Sequence, residues 1–250
     1  MEMIFRDLKK QIWDDYGFTK KTIDFVPFED WRSKLKKYSD EFPDEYSKNL
    51  NILRKKFGLL NLRQVKNNNL KLILFVGIPG AGKTTLAKIL EKSLPNTILL
   101  RGHDIVDELN LFGAKKKEYE RRLKKRGLKN PDPWYISYVY QESLTKELLS
   151  KGYNVIFDDH IRTVKNRVGY RTLAKKCLSK IIFIQISAPF ETYFEREEDE
   201  DGKLKFLANM ILQSEDFTKD EMRKYDKIIG VDGTLKLDVL KKEILRKIKY

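Results

Sequence analysis

Five short apolar runs punctuate the chain, at residues 70–76, 97–100, 153–157, 181–186 and 228–231. Each is too short for a buried helix and reads as a strand covered on both faces. Apolar positions at helical spacing lie between them. Leu86, Ala87, Ile89, Leu90 and Leu94 form one stripe, ended by Pro95. Ile136, Tyr140, Leu144 and Leu148 form another, in a helix opening at Pro133 with Asp132 as N-cap and Gly152 past its end. Leu237, Leu240, Ile244 and Ile248 mark a final helix. Thr218-Lys219-Asp220-Glu221 fits a capping box. Strands alternating with helices predict an α/β fold built on a doubly wound, parallel, five-stranded sheet.

Residues 1–66 lack strand-like runs. Ile4, Leu8, Ile12 and Trp13 predict one helix face, residues 28–38 a second short helix, and Tyr46, Leu50, Leu53 and Phe57 a third, ending near Gly58. Asn67, Asn68 and Asn69 read as a turn. The pattern thus divides the chain into a small helical module (1–66) and an α/β domain (67–250). The module can pack on the core, recognise a substrate or cover a site.

The first strand and helix are joined by Gly77-Ile78-Pro79-Gly80-Ala81-Gly82-Lys83-Thr84-Thr85. The spacing is that of a phosphate-binding P-loop, and it stands between strand and helix as its mechanism requires. Gly77, Gly80 and Gly82 let successive N–H groups point inward, with Pro79 and Ala81 completing the turn. The helix start adds partial positive charge. Lys83 is suited to reach the β- and γ-phosphates of a nucleoside triphosphate, and Thr84 to hold Mg²⁺, with Thr85 beside it. The motif implies a nucleoside triphosphate and Mg²⁺ as the bound groups.

Polar groups just past the carboxyl ends of the other strands lie at the same sheet edge. Asp104 follows the second strand and is the candidate general base; the alternative is that it caps the next helix. His103 is its neighbour. Asp158 ends the third strand, where an acid orders Mg²⁺. Arg162 and Arg167 follow it, and Arg196 follows the fourth strand; any of the three is a candidate to neutralise a moving phosphoryl group. Arg171 reads as a surface pair. The acidic run at 197–201 sits where a lid would close, and also fits a solvated charge run.

Charge adds a possible acceptor. The 250 residues hold 51 Lys and Arg against 37 Asp and Glu, a net charge of +14. Nine bases against two acids fall within residues 115–129 alone. Such a run suits a phosphate backbone or a solvated helix face equally. Trp134, Tyr135 and Tyr138 can stack on a base or pack. One cysteine, Cys177, and two histidines exclude an internal disulfide and a Cys/His metal cluster and fit a reducing cytoplasm. No signal-peptide core or run of about 20 apolar residues is present, so no membrane partner is expected. The oligomeric state is not legible.

Residues from about 70 to 249 resemble the P-loop phosphotransferases that include polynucleotide 5′-hydroxyl kinases, zeta toxins and transfer-RNA-linked seryl kinases. The resemblance rests on residues 77–85, Asp104, Asp158 before an Arg-bearing helix, and Ser187-Ala188-Pro189-Phe190-Glu191 with Arg196. It implies transfer of the γ-phosphoryl group of ATP to a hydroxyl, with Asp104 as base. Residues 152–156 with 161–164 are similar to the zeta-toxin pattern, which implies Arg162 as an acceptor contact. Asp107 stands where polynucleotide kinases usually carry arginine. Three readings follow: a kinase of nucleic acid (RNA or DNA), a kinase of a nucleoside or nucleotide sugar, and an NTPase switch. The N-K-x-D pattern of guanine selection is absent.

Overall fold

The apolar runs form β1 (Lys71–Val76), β2 (Thr97–Arg101), β3 (Asn154–Asp158), β4 (Lys180–Ser187) and β5 (Lys227–Asp232). They pair in one parallel sheet of order β2-β3-β1-β4-β5. The computed structural model describes residues 4–22, 31–129, 132–158, 161–196 and 202–249. β3 is buried along its whole length, and only the first residue of β1 is partly exposed. The apolar runs within them, residues 72–76 and 155–157, follow from cover on both faces.

The helices in chain order are α1 (Ile4–Tyr16), α2 (Trp31–Lys34), α3 (Tyr38–Glu41), α4 (Pro43–Lys56), α5 (Lys83–Ser93), α6 (Gly102–Glu108), α7 (Lys116–Lys125), α8 (Trp134–Ser150), α9 (Val164–Lys176), α10 (Phe190–Arg196), α11 (Lys203–Gln213), α12 (Lys219–Lys224) and α13 (Leu237–Lys249). The expected stripe of α8 is fully buried. Asp132 Oδ1 accepts the Trp134 N–H at 3.0 Å, while Pro133 occupies the cap position itself. The capping box between Thr218 and Glu221 is present at the start of α12.

Three expectations for the helices change. Trp13 is 64% exposed, because the buried stripe of α1 is Phe5, Leu8 and Ile12 and helical rotation carries Trp13 off it. Leu237 is likewise exposed at the start of α13, whose buried face is Leu240, Ile244 and Ile248. The second N-terminal helix is two four-residue turns, α2 and α3, with residues 28–30 outside the described set. Trp31, Leu35 and Tyr38 nevertheless keep helical spacing and are buried.

Residues 31–65 lie against the α/β layer through paired charges and rings. The Arg32 guanidinium lies over Trp31 at 4.4 Å and over Tyr170 at 4.2 Å, and donates to Glu142 at 2.5 Å. Arg54 donates to Glu147 at 2.9 Å, and Tyr46 stacks on Tyr140 at 5.1 Å. Arg122 of α7 reaches Glu45 at 2.9 Å, and Arg126 pairs with Glu41. The Val65 N–H donates to the Lys151 carbonyl at 2.8 Å.

Candidate active site

The P-loop connects β1, in the middle of the sheet, to α5. Chain connections leave β1 and β4 in opposite directions, so the loop sits at the switch in strand order, where open α/β sheets bind ligands. Gly80 has φ +75°, and a Cβ on it would stand 3.1 Å from the Tyr193 carbonyl of α10. Gly82 opens α5 at φ +86°, and among the described residues no side chain caps that helix start. The first N–H groups of such a helix start suit a bound anion. Lys83 is buried and folds back over the loop, its Nζ donating to the Ile78 carbonyl at 2.7 Å. Ala81 is buried, and Pro79 and Gly77 line the turn, with Thr85 exposed beyond it. These residues fit a nucleoside triphosphate.

Thr84 and Asp158 meet across the sheet edge. Thr84 Oγ1 donates to Asp158 Oδ2 at 2.7 Å. A hydroxyl and a carboxylate are hard oxygen donors, the kind Mg²⁺ prefers, and Mg²⁺ usually completes its shell with water and phosphate. Among the described residues no group of three or more His, Cys, Asp or Glu could hold a metal by itself.

Strand order then brings in Asp104. β2 pairs with β3 rather than β1, and Arg101 is the register partner of Asp158. Arg101 Nε lies 3.7 Å from Asp158 Oδ2, and Arg101 Nη1 lies 3.1 Å from Asp104 Oδ1. A continuous polar line thus runs Thr84–Asp158–Arg101–Asp104. Asp104 lies in the first turn of α6 and does not cap it. Its side chain is about a quarter exposed (28%), open enough to meet a substrate. Arg101 was not singled out from sequence. Its signal in the sequence is its place directly after the apolar run 97–100, two residues before His103 and three before Asp104.

The three candidate arginines separate. Arg196, at the end of α10, donates to the carbonyls of Gly80 at 3.5 Å and Gly233 at 3.2 Å, against the P-loop. Arg162 is buried, its Nη1 3.5 Å from the Met210 carbonyl of α11. Arg167, expected as a candidate for the moving phosphoryl group, has another task. It is fully buried, and all five of its N–H donors are used: Nε and Nη2 on Glu221 at 2.7 and 3.0 Å, and the rest on the carbonyls of Arg162, Glu215 and Asp216. Its guanidinium also covers the Phe217 ring at 4.4 Å. No donor remains for a phosphoryl oxygen. Burial pushes the Glu221 carboxyl up, but hydrogen bonds from Arg167, the Thr218 N–H and Tyr225 outweigh it and hold the group below the usual glutamate range. Arg171 donates to the Lys224 carbonyl at 3.1 Å. The acidic run at 197–201 lies outside the described residues.

Aromatic groups cluster around His103, the residue before Asp104. The exposed His103 ring meets Trp134 edge-on at 4.8 Å, and Trp134 lies 6.3 Å from the exposed Phe112. Lys116 stands 5.5 Å over Phe112. Tyr135 and Tyr138 are buried and pack, Tyr138 against Trp31 at 5.2 Å.

The AAA domain family, AAA_33, matches residues 72–201, more than half of the chain. No curated protein matches the chain. Among solved structures, that of the PezAT chromosomal toxin–antitoxin system of Streptococcus pneumoniae aligns with a TM-score of 0.52 at 20% identity, over 78% of this chain and 86% of that one. The APS kinase of Mycobacterium tuberculosis in complex with AMPPNP and APS aligns at 17% identity with a TM-score of 0.48, over 74% of this chain and 100% of that one. The likeness to the pneumococcal structure shows the α/β P-loop kinase-like fold.

Proposed function

The chain belongs to the AAA domain family AAA_33 and is a P-loop kinase in fold; on that premise we propose that it transfers the γ-phosphoryl group of ATP to a hydroxyl of a nucleic acid. The observation that carries the proposal is the polar line from Thr84 through Asp158 and Arg101 to Asp104. It joins the phosphate loop to a carboxylate that stands free of helix capping, which is the layout a hydroxyl transfer needs.

Lys83 and the loop N–H groups hold the phosphates. Thr84 and Asp158 would hold Mg²⁺, which supplies charge neutralisation on the phosphate oxygens when bound. Asp104 accepts the proton of the acceptor hydroxyl as its oxygen attacks the γ-phosphorus, and ADP leaves. Arg101 holds the Asp104 and Asp158 carboxylates in register. Arg196, against Gly80, is the arginine best placed for developing charge on the moving group. Support for a nucleic-acid acceptor comes from the His103–Trp134–Phe112 rings, which start one residue before Asp104, and from the lysines that begin at Lys115. Rings offer stacking to a base, and the lysines offer charge to its backbone.

The test is transfer of labelled γ-phosphate from ATP to 5′-hydroxyl RNA and DNA oligonucleotides, transfer RNA, nucleosides and nucleotide sugars. Label is expected on a polynucleotide. Asp104→Asn is expected to cut turnover by roughly 10²–10⁴-fold with ATP binding kept. Label on a small molecule alone would replace the acceptor class, and an unchanged rate in Asp104→Asn would overturn the base.

A further inference from the structure

A cleft of about 370 Å³ opens beside the P-loop, between α1 and the carboxyl ends of β4 and β5. Asp7, Leu8 and Gln11 form its α1 wall, and Ser187, Ala188 and Asp232 its sheet wall. Ser187 and Asp232 are register partners in the parallel pair β4–β5. Gly233 joins this cleft to the phosphate loop. Its N–H donates to the Ser187 carbonyl at 2.6 Å, and a Cβ on it would stand 3.4 Å from the Ala81 carbonyl. Arg196 closes the same joint by donating to both Gly80 and Gly233.

The volume lies in the ordinary range for a small-molecule site. The lining suits one end of a nucleotide and not the other. The carboxylates of Asp7 and Asp232 repel phosphate and, with the Ser187 hydroxyl, accept hydrogen bonds from ribose hydroxyls and an exocyclic amine, while Leu8 and Ala188 offer an apolar face to a base. α1 is fixed where it can do this. Asp216 accepts the Phe5 and Arg6 N–H groups at 2.8 and 3.0 Å. Lys9 donates to the Ser214 carbonyl at 2.5 Å, Gln11 donates to Glu191 at 2.7 Å, and Tyr16 meets Phe190 at 5.0 Å.

We infer that this cleft receives the nucleoside end of the bound triphosphate and that α1, which lies outside the family's matched residues 72–201, is its selective wall. The inference rests on the nucleotide reading of the P-loop. In it α1 determines nucleoside affinity, and the loop determines phosphate affinity.

The experiment is calorimetric titration of the full chain with ATP and, separately, with inorganic tripolyphosphate. Gln11→Trp fills the cleft, and Asp7→Ala removes one exposed acceptor with little risk to folding; circular dichroism checks both. Gln11→Trp is expected to weaken ATP about tenfold and Asp7→Ala about threefold, with tripolyphosphate unchanged or tighter. Lys83→Ala is expected to weaken both ligands. If both folded α1 variants leave ATP binding unchanged, or weaken the two ligands alike, while Lys83→Ala weakens both, the cleft inference falls and the P-loop reading stands. If Lys83→Ala weakens neither ligand, the P-loop reading itself falls.

Discussion

Arg101 shows what one side chain can settle. Its guanidinium spans two carboxylates, Asp104 at 3.1 Å and Asp158 at 3.7 Å. Asp158 is buried and shares Thr84 with the phosphate loop. In the proposed mechanism Arg101 is a positioning residue, acting through the two acids. Arg101→Leu is expected to lower kcat by about 10²-fold, since small displacements of a catalytic group are that costly, with ATP affinity changed much less. Arg101→Lys keeps the charge but loses the fork, and is expected to recover only part of the rate. Stopped-flow turnover beside ATP titration checks both; an equal fall in rate and affinity would place Arg101 in binding instead. The P-loop was legible in the chain because its chemistry lies in nine consecutive residues. Arg101 was not, because its role depends on which strand lies next to β2.

Arg167 belongs to the scale of elements. Located on α9, it ties that helix to α12 through Glu221 and to the segment between α11 and α12 through the carbonyls of Glu215 and Asp216. Removing one partner of such a buried pair strands the other charge. Arg167→Met is expected to cost roughly 3–5 kcal/mol, read from urea unfolding. The pair also sets an acid limit. The folded carboxyl of Glu221 is held below the ordinary glutamate range, so the unfolded chain binds its proton first as pH falls. Its contribution is present in full above that range and is lost as pH drops through the depressed value. Unfolding midpoints measured from neutral pH downward are expected to fall below about pH 4, and the Arg167→Met, Glu221→Met double variant is expected to lack that part of the decline. Sequence spacing placed Arg167 after β3 as correctly as it placed Arg162. Only the fold turned it inward, because α12 and its capping box bring Glu221 beneath it.

At the scale of the whole molecule, a net charge of +14 is distributed unevenly in purpose. Two of the nine bases in residues 115–129, Arg122 and Arg126, turn to Glu45, Glu41 and the Phe42 ring and fasten the N-terminal segment. Lys115, Lys116, Lys117, Arg121, Lys124, Lys125 and Lys129 remain exposed. Replacing Lys115, Lys116 and Lys117 by Glu is expected to weaken polynucleotide binding and flatten its dependence on salt by about 0.7–0.9 per lost phosphate contact, measured by fluorescence anisotropy across a salt series. An unchanged slope would make the run a solvated face.

Local information in the sequence was sufficient for the strands, most helices and the phosphate loop. Apolar period, turn residues and motif spacing are short-range properties, carried by neighbours along the chain. The tertiary structure alone decided the strand order β2-β3-β1-β4-β5. That order set Arg101 against Asp158, buried Arg167 on Glu221, and left a cleft between α1 and Ser187. Those contacts join residues far apart in sequence. Their partners are chosen by packing and by the need to pair each buried charge, which no single segment carries.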